Sequence, residues 1–92
     1  MAPEIAAALG GEALLWLTTR PDAIGALLGA AGLDPAEARR RADDPEFLGF
    51  VLDFLLSDER LLLDFAAEAG VAPETPMRAR MALPGGRAPH WT

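Results

Sequence analysis

With 92 residues, 51% of them hydrophobic, the chain has the length for one domain with a modest core, and it is too apolar to read as disordered. Its net charge of −6 repels phosphate backbones and anionic lipids on average, and the lack of cysteine excludes disulfides and thiolate chemistry. Every basic group except His90 is an arginine, and lysine, asparagine, glutamine and tyrosine are missing, a bias that fits a GC-rich coding sequence better than a functional choice. No positive side chain precedes Arg20, so a secretory signal is not expected, and no run approaches the ~20 apolar residues of a membrane span. The expected location is the cytoplasm, which a cysteine-free chain fits.

Strands have no support, because β-branched residues are few and period-two alternation is missing. A first helix is expected from Pro3 to Leu17, with Ile5, Leu9, Ala13, Trp16 and Leu17 on its core side and a weak point at Gly10-Gly11. A second runs from Pro21 to Ala31, with Ile24, Leu27, Leu28 and Ala31 as its apolar stripe and Gly32 as its stop. A third, from Pro35 to about Ala42, is capped by Asp34. The fourth, Pro45 to Leu56, is capped by Asp44 and is apolar nearly all round, with Glu46, Gly49 and Asp53 as its only polar stripe. Such a helix belongs in the centre. A fifth, from about Asp58 to Ala69, is capped by Ser57 or Asp58. It turns Leu61, Leu62, Phe65, Ala66 and Ala69 inward, pairs Arg60 with Asp64 and stops at Gly70. A sixth starts at Pro73 or Pro76, with Thr75 as a possible cap, and docks through Met77 and Met81 before ending near Leu83.

The expected fold is all-α, a small orthogonal bundle of five or six short helices around a central apolar helix. Residues 1–84 form the domain and 85–92 a flexible tail. A spacing of 38 residues brings Ala31-Gly32-Leu33-Asp34-Pro35 onto Ala69-Gly70-Val71-Ala72-Pro73, Arg40 onto Arg78 and Leu27 onto Phe65. Generic helix corners explain that match, and two equivalent helical hairpins are the sharper alternative.

Catalytic parts are scarce. The single histidine, His90, lies in the tail, and the single serine, Ser57, sits where a helix cap is wanted, so no Ser/His or Cys/His pair can form within the fold. Asp53 and Asp64 each occupy a Leu-Asp-Phe triplet, but with Glu46 and Glu68 they read as solvated faces. Asp43-Asp44 reads as a helix junction rather than a metal loop. No glycine-rich phosphate loop is present, and no catalytic, cofactor or metal site is assigned. Arg39, Arg40 and Arg41 are the one basic cluster; they spread around a short helix between acidic neighbours, as a solvated helix end does, with phosphate contact as the alternative. Leu14 and Leu15 point away from the main face of the first helix, Ala26 and Gly29 lie on a small-residue side of the second, and Leu63 with Ala67 lies off the core stripe of the fifth. These six are the candidate partner surface.

The run from Asp44-Pro45-Glu46-Phe47-Leu48 through Val51-Leu52-Asp53-Phe54-Leu55-Leu56-Ser57-Asp58-Glu59, then Leu61-Leu62-Leu63 and Phe65-Ala66-Ala67, resembles a family of short alphaproteobacterial proteins that forms a domain of unknown function. The resemblance reaches from Ala13-Leu14 to about Leu83. It implies a bacterial cytoplasmic helical protein and carries over no catalytic residue. The functional expectation is a non-enzymatic protein-interaction module, acting on a partner or on itself, without cofactor or membrane. A nucleic-acid-binding regulator of helix-turn-helix type is the alternative, disfavoured by the acidic total.

Overall fold

Helix ends are set locally, and here proline and aspartate set most of the starts. In the computed structural model, which describes residues 1–85, the helices are α1 (Pro3–Thr18), α2 (Pro21–Ala31), α3 (Pro35–Arg40), α4 (Pro45–Leu56), α5 (Glu59–Ala69) and α6 (Thr75–Met81). Among the described residues there is no strand. The first four helices each begin on proline, whose missing N–H has no partner to lose there. Side-chain oxygens of Asp34, Asp44 and Asp58 accept the N–H groups of Glu37, Glu46 and Leu61 at 2.8, 3.1 and 3.2 Å. Each such cap contributes about 1 kcal/mol. Gly32 and Gly70 end α2 and α5 with φ of 70° and 71°, a conformation that costs any residue with a Cβ. The flexible tail expected over 85–92 falls, but for Gly85, outside the described residues, and so do His90 and Trp91.

The apolar α4 stands at the centre, and α1 shares that centre with it. α4 packs on α1, α2, α5 and α6, and α1 packs on α2, α4 and α6. Leu17, Leu27, Val51, Leu52, Leu55 and Phe65 are sealed from solvent between them, each contributing about 1.5–3 kcal/mol by burial. α1 runs through Gly10-Gly11 unbroken. A Cβ on Gly10 would lie 3.0 Å from the Leu48 Cβ, so the glycine permits the close approach of the two central helices.

Several side chains lie elsewhere than periodicity suggests. The buried face of α1 is Ala6, Leu9, Gly10, Ala13, Leu14 and Leu17, a set rotated from the expected one, which leaves Ile5 61% exposed. α1 carries large apolar residues on all sides, so spacing alone does not choose its core face. Met77 and Met81 are half exposed; α6 docks through Pro76 and Ala79 instead, small or compact side chains that allow close packing on α1 and α4, and Leu83 follows the helix into the core. Thr75 is the first residue of α6 and not its cap. Asp58 caps α5, while the Ser57 hydroxyl donates to the Phe54 carbonyl. Ala69 is exposed. Asp64 approaches Arg20, 3.8 Å away, rather than Arg60. α3 stops at Arg40, and residues 41–43 form a turn.

The 38-residue spacing extends through the structure. α2 and α5 are both 11 residues long and begin 38 residues apart, and α1 and α4 end at the same spacing. The two glycine corners carry the same bond one residue on, from Leu33 N–H to the Leu28 carbonyl and from Val71 N–H to the Ala66 carbonyl. Leu17 and Leu55, and Leu27 and Phe65, are equivalent positions sealed in one core, and the equivalent Gly10 and Leu48 meet where α1 crosses α4. The spacing thus recurs across α1–α2 and α4–α5, while the third helix of each half departs from it, α3 and α6 beginning 40 residues apart.

Candidate functional site

The two halves differ in how their third helix closes. In the second half, α6 lies against α4, and Arg80 fastens it. Its Nε donates to Asp53 Oδ1 at 2.6 Å and its Nη1 to the Pro84 carbonyl at 2.9 Å, with the guanidinium packed over Gly49, where a Cβ would come within 2.7 Å. Thirty-eight residues earlier, the positions of Asp53 and Arg80 are Leu15 and Ala42, which cannot make such a link. α3, six residues long, spans only about 9 Å. It leaves a groove between α1, α2 and itself.

That groove encloses ≈ 540 Å³. Its α1 wall is Ala8, Gly11, Glu12, Leu14, Leu15 and Thr18, its α2 wall Ile24 and Leu28, and its α3 wall Pro35, Ala38 and Arg39, with Ala42 just beyond. The surface is almost wholly aliphatic. Thr18 spends its hydroxyl on the Leu15 carbonyl. Glu12 and Arg39 are the only charged residues on the rim, and neither forms an ion pair among the described residues. Leu15 stands at the edge, 71% exposed, the most exposed large apolar side chain described.

The six surface candidates do not form one patch. Leu14 is a correction: it is only 9% exposed and belongs to the core, because α1 is rotated toward it, and it forms part of the groove wall rather than a free surface. Leu15 stands on the groove. Ala26 is exposed beside a separate depression with Arg20, Phe54 and Leu61, and Gly29 faces open space. Leu63, 46% exposed, and Ala67 lie on α5, away from the groove lining. Arg39, Arg40 and Arg41 are all exposed, but only Arg39 reaches the groove rim, and Arg41 lies past the end of α3. Ile24 and Leu28, expected to be core, are half-buried groove walls. No signal in the sequence sets them apart, because both also fit the apolar stripe of α2.

Arg20 lies in the connection between α1 and α2. Its guanidinium stacks on Trp16, 4.2 Å from the ring centroid, and donates to Glu68 Oε2 at 3.0 Å. Trp16 in turn meets Phe65 edge to face, with centroids 5.5 Å apart. This tie holds the α1–α2 corner to α5. Among the described residues, no three His, Cys, Asp or Glu side chains gather as a metal site would require, and no helix is long and apolar enough to cross a membrane.

A family comparison matches residues 3–86 to the family described as "Protein of unknown function (DUF3572)". The chain belongs to that family. The match takes in all six helices and the groove, so the architecture described above is that of a DUF3572 domain. Neither the curated proteins nor the solved structures yield a match.

Proposed function

We propose that this DUF3572 protein is a non-enzymatic interaction module of the bacterial cytoplasm, which docks an apolar helical face in the groove between α1, α2 and α3. The observation that carries this reading is Leu15, 71% exposed beside a concave aliphatic surface of ≈ 540 Å³. Water on such a surface is released when aliphatic side chains fill it, at about 25 cal/mol per Å². Grooves of this kind take the i, i+3, i+4 and i+7 anchors of an amphipathic helix. The nucleic-acid reading retains only three exposed arginines around a helix of six residues, on a chain of net charge −6.

The test is retention from host lysate by the full chain and by Leu15→Asp and Leu28→Asp, with circular dichroism to show that the variants fold. A protein retained by the parent chain and lost with both variants supports the reading. Equal retention by all three overturns it, as does a parent chain that retains nothing and stays monomeric.

A further inference from the structure

We infer that the occupant of the α1–α3 groove is a second copy of this chain, docked about a two-fold axis. The inference rests on the docking reading above and names its partner. Three observations carry it.

First, the face is self-complementary in shape. It presents an exposed knob, Leu15, beside a hollow walled by Ile24, Leu28 and Ala38. Under a two-fold axis each copy's knob meets the other's hollow, because a contact from one residue to another is made twice. Second, the face is self-complementary in charge. Its two charged residues are opposite in sign and lie on different helices, Glu12 on α1 and Arg39 on α3, both unpaired among the described residues. Two-fold docking brings Glu12 of each copy toward Arg39 of the other. The lining is therefore neutral on a chain that carries −6, so two copies meet here with the least repulsion. Third, the second half is closed where the first is not. There α6 closes on α4 and is fastened by Asp53 and Arg80, whereas the first half has Leu15 and Ala42 at those positions and leaves its hollow open. The chain seals one half by itself and leaves the other to be sealed from outside.

The experiment is sedimentation of the full chain with light scattering, across a concentration series up to about 1 mM. The expected species has twice the 9.7 kDa mass. Leu15→Asp should abolish it, and Glu12→Arg or Arg39→Glu alone should weaken it about tenfold or more. An equimolar mixture of Glu12→Arg with Arg39→Glu should recover a mixed dimer, because both crossed pairs are then attractive. Both charges lie at exposed positions, so these variants keep the fold. A parent chain that stays monomeric to the top of the series overturns the second-copy inference, as does a dimer untouched by Leu15→Asp. The dye 8-anilinonaphthalene-1-sulfonate separates the two readings. A monomer that binds the dye through Leu15 leaves the docking reading standing and points to a different partner. A monomer that binds it only after Trp91→Ala assigns the groove to the chain's own C-terminus, and one that never binds it removes both readings.

Discussion

Gly10 and Gly11 are neighbours on one helix under opposite constraints. A Cβ at Gly10 would press on Leu48, while one at Gly11 meets nothing within 4 Å. Gly11→Ala should therefore gain helix propensity of up to about 1 kcal/mol and raise Tm by several degrees, whereas Gly10→Ala should lower it by forcing α1 and α4 apart. Thermal unfolding followed by circular dichroism checks the pair, and shifts of the same sign contradict the close approach. Gly49 is constrained by Arg80 instead. Gly49→Ala should destabilise the parent chain by displacing the guanidinium from Asp53 and the Pro84 carbonyl, yet stabilise an Arg80→Ala background by up to about 1 kcal/mol. A double-mutant cycle in urea reads that reversal of sign. Neither glycine could be told from an ordinary helix weakener in the sequence, because what it touches comes from another element.

Element boundaries were the most legible feature, since caps are local chemistry. Asp34 and Asp44, the helix-starting prolines and the corners at Gly32 and Gly70 all lie where the residue types place them. Ser57 and Asp58 competed for one cap, and geometry gave it to Asp58. Asp58→Ala should cost about 1 kcal/mol, while Ser57→Ala, which loses only an exposed bond within the turn, should stay within about 0.5 kcal/mol. Urea denaturation of the two variants measures the difference, and equal losses would contradict the assignment. The rotational setting of a helix was less legible. α1 carries large apolar residues on all sides, so Ile5 and Leu14 exchanged their expected places. On α6 the bulky Met77 and Met81 drew attention from Pro76 and Ala79, which dock because they are small.

At the scale of the whole molecule, α1–α2 and α4–α5 recur at a spacing of 38 residues around one core, and the helices that follow them, α3 and α6, differ. The all-helical class and the buried character of α4 follow from composition and periodicity, but the pairing of α4 with α1 needs the glycine contact that only folding reveals. Of the groove, Leu15 was visible as a surplus apolar residue. Ile24 and Leu28 were not, because each also satisfies a core stripe, and what leaves them half-exposed is the shortness of α3. The groove thus opens where one half lacks the closure that Asp53 and Arg80 provide in the other. The most direct test of that account is amide chemical-shift mapping of the full chain across a dilution series. Docking through the groove predicts that the peaks that move come from residues 8–18, 24–28 and 36–42, with α5 and α6 unmoved. Shifts centred on Leu63 and Ala67, or on Ile5, Met77 and Met81, would place association on another face and contradict it.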